Sequence, residues 1–66
     1  AEYHVSPQQM LMAIRLSQAK RMLERGMPAA QVAAAAGLTD QAHLTRAFAN
    51  RYGVTPVRFQ KQVKLG

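Results

Sequence analysis

Apolar residues return along the chain at helical intervals, in four stretches punctuated by glycine. Met12, Leu16, Ala19 and Leu23 fall at i, i+4, i+7 and i+11, which is one stripe on one helix face. The start of this stretch is well marked. Ser6 can cap free N–H groups, Pro7 suits the first helical position, and Gln9 completes a capping box three residues after Ser6. Val5 and Met10 are spaced as a hydrophobic staple. The pattern predicts a helix from Pro7 to about Arg25, stopped by Gly26. A second, short helix is predicted from Pro28 to Ala36, with Val32, Ala33 and Ala36 facing inward and Gly37 breaking it. The run Ala33 to Ala36 favours helix by propensity, and its small side chains let another helix approach closely.

A third helix is predicted with Thr39 as N-cap and Asp40 at the positive end of the helix dipole. It runs to about Tyr52, and Gly53 ends it. Leu44, Ala47 and Phe48 share its inward face, which Arg51 or Tyr52 extends. The fourth helix opens Val54-Thr55-Pro56, with Thr55 as cap, Pro56 at the first position and Val54 and Phe59 as staple. Val63 to Gly66 are expected to fray. The fold class is therefore all-α: a small helical domain in which a long helix precedes a helix-turn-helix and a short closing helix. The turn of that motif is Gly37-Leu38-Thr39. Gly37 supplies a left-handed backbone, Leu38 plugs the angle between the helices, and Ala33 is small where they cross. Leu44 and Phe48 come about one position later than in the tightest form of the motif, so the turn is slightly longer.

Length and charge narrow the function. Sixty-six residues make one domain at most, with a modest core. There is no cysteine and hence no disulfide, and His4 and His43 lie far apart, so neither a zinc site nor any other cofactor is expected. Nine Lys and Arg face three acids, Glu2, Glu24 and Asp40, for a formal net charge of +6. Such a balance points to a polyanion, either nucleic acid or an anionic membrane surface. The plainer alternative is a soluble basic domain without such a partner. No apolar run reaches the roughly 18 residues of a membrane span, and the first residues lack a signal-peptide pattern, so a cytoplasmic location is expected.

With Leu44, Ala47 and Phe48 inward, residues Gln41, Ala42, Thr45, Arg46 and Ala49 share the outer side of the third helix. Arg46 can donate two hydrogen bonds to guanine, Gln41 can pair both ways with adenine, and Thr45 and Ala42 can touch a thymine methyl or a nearby phosphate. No acid interrupts this face; Asp40 sits at the helix start in a capping role. His43 is a rim residue or a base or phosphate contact. Arg51, Arg58, Lys61 and Lys64 serve phosphate contact or solubility. Lys20, Arg21 and Arg25 ride on the first helix, where some neutralise its negative end.

Tyr3-His4-Val5-Ser6-Pro7 echoes Tyr52-Gly53-Val54-Thr55-Pro56 at an offset of 49 residues. The second copy closes one helical unit and opens the next helix, so the first copy reads as the end of an earlier, similar unit. Residues 1–6 are then the tail of a first helix-turn-helix unit, 7–25 a linking helix and 26–66 a second unit.

The chain resembles the C-terminal DNA-binding region of AraC/XylS-type transcription regulators. The resemblance rests on Ile14-Arg15-Leu16 with Ala19 and Met22-Leu23, on Val32-Ala33 and Gly37-Leu38, and on Asp40-Gln41, His43-Leu44, Thr45-Arg46 and Phe48. Gly53-Val54-Thr55-Pro56 with Phe59 completes it, so it covers about Val5 to Gln60. It implies two helix-turn-helix units joined by a long helix, and double-stranded DNA as partner. It places base contacts at Gln41, Ala42, Thr45 and Arg46, the positions that the helical face also suggests. Oligomerisation is expected through a domain outside this chain. Three positions depart from the family: Leu38 for the usual Phe, His4 for the usual Gly, and Gln60 for an Arg, which alters one expected phosphate or structural contact.

Other classes compete. A protein-interaction module, for example one that contacts RNA polymerase, could use the apolar stripe of the first helix. A basic amphipathic helix on a membrane would use Met10, Leu11, Ile14 and Met22 but leaves the rest of the chain unexplained. An enzyme fits worst: there is no paired carboxylate and no hydroxyl, histidine and acid set.

Overall fold

The computed structural model describes residues 6–65, which form four helices: α1 (Pro7–Glu24), α2 (Ala29–Ala35), α3 (Gln41–Tyr52) and α4 (Pro56–Leu65). The capping box at the head of α1 is closed. The Gln9 N–H donates to Ser6 Oγ at 3.1 Å, and Gln9 Oε1 accepts from the Ser6 N–H at 3.2 Å. Val5 of the expected staple and Tyr3, His4 and Val5 of the first copy of the internal echo lie outside the described residues.

Helices α1 and α2 end in the same way. Gly26 (φ +92°) and Gly37 (φ +83°) are left-handed. Behind Gly26, the Gly26 and Met27 N–H groups donate to Leu23 O and Met22 O; behind Gly37, the Gly37 and Leu38 N–H groups donate to Ala34 O and Ala33 O. This is the Schellman arrangement, which satisfies the last carbonyls of a helix and turns the next residue inward. Met27 accordingly packs against the core and Leu38 is buried within it.

Three boundaries differ from the sequence expectation. Pro28 does not open α2 but precedes it in extended conformation, and Ala36 caps its far end. The N-cap of α3 is Asp40 rather than Thr39: Asp40 is extended, and its Oδ1 accepts the His43 N–H at 2.7 Å. A side chain can reach the third N–H only from the residue directly before the helix, so the slightly longer turn transfers the capping role by one position. Lastly, α4 extends past Val63 to Leu65. Its first turn is capped by Thr55, whose Oγ1 accepts the Arg58 N–H at 3.2 Å, and Pro56, Phe59 and Gln60 in its first half carry its inner contacts.

That packing centres on α3. Leu16, Ala19 and Leu23 of α1 meet Ala29, Val32, Ala33 and Ala36, with Leu38 between the helices and Leu44 and Phe48 of α3 in the middle. Each fully buried Leu, Val or Phe contributes roughly 1.5–3 kcal/mol. The Phe48 ring lies 4.7 Å from that of Tyr52 and 5.5 Å from that of Phe59, centre to centre. Tyr52, not Arg51, extends the inward face; Arg51 is exposed. Lys20 of α1 places its Nζ 5.2 Å from the Tyr52 ring centre and 5.9 Å from that of Phe59, so a cation–π contact also ties α1 to α3 and α4.

Gln60 replaces the expected arginine contact with one of its own. Its Nε2 donates to Leu23 O at 3.1 Å and to Met27 O at 2.7 Å. One amide thus ties α4 to the end of α1 and to the turn that follows it. Loss of the amide takes the donor from the partly buried Met27 O, while Leu23 O keeps the Gly26 N–H, so Gln60→Ala should lower unfolding free energy by about 1–3 kcal/mol, read as a shifted urea midpoint. Asp40→Ala should cost about 1 kcal/mol in the same measurement, while Thr39→Ala should stay within about 0.5 kcal/mol; equal effects would reverse the assignment of the cap.

Candidate nucleic-acid interface

The functional side chains are carried by α3, whose rotation is fixed by Leu44 and Phe48. Both are fully buried. Ala42 and Arg46 are exposed on the side away from them, Thr45 and Ala49 are half-buried, and Gln41, seven residues before Phe48 and so on its side of the helix, is exposed because it opens the first turn. Ala42, Thr45, Arg46 and Ala49 are mutual neighbours at i+3 and i+4 spacing, so they form one continuous patch. Gln41 lies at the N-terminal edge of it, in the first turn.

Side-chain bonds within the patch decide what each group can offer. The Thr45 hydroxyl donates to Gln41 O at 2.9 Å. His43 is half-buried and drawn toward the turn, its Nδ1 3.4 Å from the Thr39 nitrogen, which donates to it. Together with the bond from the His43 N–H to Asp40, this makes His43 part of the helix start. The turn itself is covered by Arg15: a Cβ added to Gly37 would sit 3.3 Å from Arg15 Nε. The sequence gives no sign of Arg15 as a turn residue, because nothing in local spacing links position 15 to position 37.

The basic residues expected around the patch are dispersed. Arg51 lies on the flank of α3 that faces α1, where it lines an open groove with Gln9, Met10, Met12, Ala13, Leu16, Ala47 and Asn50. Lys61 and Lys64 line a different cleft, between α4 and the end of α1, beside Glu24 and Arg25. Arg58 is exposed in the first turn of α4. Arg46 is therefore the cation at the centre of the patch, and Arg51, Lys61 and Lys64 line other surfaces. Asn50, exposed and four residues after Arg46, continues the outer side of α3; its i+4 spacing from Arg46 was the available signal.

Among the described residues no three His, Cys, Asp or Glu side chains come together as a metal site, and no helix is long and apolar enough to cross a membrane. The first two turns of α1 carry an apolar surface of their own. Met10, Leu11 and Ile14 are 55, 45 and 50 % exposed, so one side of these turns is uncovered.

Residues 1–62 match the family model of a helix-turn-helix domain. Over 57 residues the chain is 37 % identical to the probable transcriptional regulator LumQ of Photobacterium leiognathi, a match that takes in 85 % of this chain and 23 % of that protein. The chain thus spans under a quarter of the length of this relative. No solved structure gives a significant match.

Proposed function

The chain belongs to the AraC-type helix-turn-helix family, the DNA-binding domains of transcription regulators, and from that premise we propose that α3 enters the major groove of double-stranded DNA and reads base edges there. The observation that carries this reading is the outer side of α3, where Arg46 stands among small or polar side chains with no acid beside it, while Leu44 and Phe48 are locked into the core. Arg46 donates to guanine and Gln41 pairs with adenine, with Thr45 and Ala42 in support. Arg58 and Lys61 hold phosphates at a distance from the bases, and the chain acts as a binding module rather than an enzyme.

The exposed side of α1 supports the tandem arrangement read from the internal echo. At the offset of 49 residues, Met10, Leu11 and Ile14 correspond to Phe59, Gln60 and Val63. Phe59 and Gln60 are the residues by which α4 packs onto its own unit. Residues 7–25 then link two units, and 26–66 form the second. Effector response and oligomerisation belong to parts of the regulator outside this chain.

A second reading, a protein-interaction module such as one that touches RNA polymerase, is favoured by the same uncovered apolar side of α1. Salt separates the two, since phosphate contacts weaken steeply with salt and an apolar interface does not. In fluorescence anisotropy with a labelled duplex, binding should fall steeply across a salt series, and Arg46→Ala should cost a further 1–3 kcal/mol or so on the preferred site. Salt-independent binding, or an equal loss on every duplex, would overturn the base-reading role. Ile14→Gln should change the stability of this chain by no more than about 0.5 kcal/mol but destabilise a longer chain that includes the preceding unit; equal effects in both would reject the tandem arrangement.

A further inference from the structure

We infer that the outer side of α3 recognises thymine methyl groups beside a guanine, and that Thr45 takes part through its methyl and not through its hydroxyl. This rests on the major-groove reading above and deepens it. The hydroxyl hydrogen of Thr45 is committed to Gln41 O at 2.9 Å. With that proton in use, the oxygen has only lone pairs left, and it can donate neither to a phosphate nor to N7 or O6 of a purine. The other branch at Cβ is a methyl group, and it is what remains to meet a ligand.

The neighbours of Thr45 have the same character. Ala42 lies three residues before it and Ala49 four residues after it, so three methyl groups follow one another along α3. From Ala42 to Ala49 they span about 10 Å of helix axis at the rise of an α-helix. Arg46 lies beside this row, four residues after Ala42 and three before Ala49. None of these neighbours carries a carboxylate or a long side chain that would hold the guanidinium down on the helix. The patch therefore offers one strong bidentate donor beside a row of methyl groups, with the polar His43 and Asn50 on its other side.

In the major groove the guanine edge presents two acceptors, which suit that donor, and the thymine edge presents a C5 methyl, which suits apolar contact. Cytosine carries only hydrogen at C5 and adenine presents an amino group, so neither supplies a methyl for Ala42, Thr45 and Ala49 to bury, while the Thr45 oxygen, which keeps its lone pairs, does not discriminate against an amino donor. The preferred sequence is accordingly a guanine next to thymines, and discrimination at the thymines comes from methyl burial.

The experiment selects duplexes from a randomised pool with the chain, then rebuilds the selected duplex with deoxyuridine in place of thymidine, which removes the methyl and leaves the pairing edge intact. Selected duplexes should carry a guanine flanked by thymine, and each uracil next to that guanine should weaken binding about fourfold, the effect of one buried methylene-sized group. Thr45→Val keeps the methyl and should retain both affinity and the penalty for uracil. Thr45→Ser keeps the hydroxyl and should lose about fourfold on the thymine duplex while becoming indifferent to uracil at one position. Tight binding by Thr45→Ser with loss in Thr45→Val, or indifference of the unmodified chain to uracil, overturns the methyl assignment and leaves major-groove binding standing. Binding at low salt that selects no sequence overturns the base-reading role together with it.

Discussion

Phe48 is enclosed on all sides, with the Tyr52 and Phe59 rings within 5.5 Å of its own, centre to centre. This enclosure fixes the rotation of α3 about its axis. Successive residues of a helix point about 100° apart, so moving Phe48 out of register by one residue would carry Arg46 away from the outer side and bring a different set of side chains to it. The cost of exposing a buried aromatic, on the order of 3–5 kcal/mol when it is removed altogether, is a large share of the stability of so small a domain. The chemistry presented to DNA is thus held by an apolar contact on the far side of the same helix.

The core that encloses Phe48 is made largely of small residues. Ala19, Ala29, Ala33 and Ala36 let α1, α2 and α3 approach closely, and Leu16, Leu23, Val32, Leu38 and Leu44 fill the spaces between them. Because small side chains bury little area each, polar and electrostatic ties contribute a larger share here than in a larger domain. Gln60 ties α4 to the end of α1 by two hydrogen bonds, and Lys20 lies over two aromatic rings. These ties join α1 to α4 and, through Tyr52, to the end of α3, so they steady the platform without using the residues of the outer patch. The uncovered Met10, Leu11 and Ile14 lie at the other end of α1, away from Leu23, where Gln60 is attached.

Much of this architecture is legible in local sequence patterns. The stripe Met12, Leu16, Ala19 and Leu23, the capping box of Ser6 and Gln9, and the stops at Gly26 and Gly37 involve near neighbours only, and they reappear as helices with the expected inward residues. The outer side of α3 is legible too, because it is the complement of Leu44 and Phe48. The differences fall at boundaries and contacts. Thr39 and Asp40 are both good capping residues, and only the actual path of the turn chooses between them. Gln60 could not be recognised as a tie, since its acceptors lie 33 and 37 residues away in sequence.

Periodicity, helix punctuation and charge are properties of near neighbours and of composition, so the sequence by itself determined the four helices, their apolar sides, the basic character of the chain and the outward placement of Ala42 and Arg46 on α3. What the tertiary structure decided depends on groups brought together from distant positions or on the choice among equivalent local partners. It set Gln60 against Leu23 and Met27, Arg15 over the turn at Gly37, Arg51 and Lys61 on surfaces apart from Arg46, and the Thr45 hydroxyl onto its own helix. A hydrogen bond or a packed ring depends on position to within a few tenths of an ångström, and such precision arises only once the helices have docked.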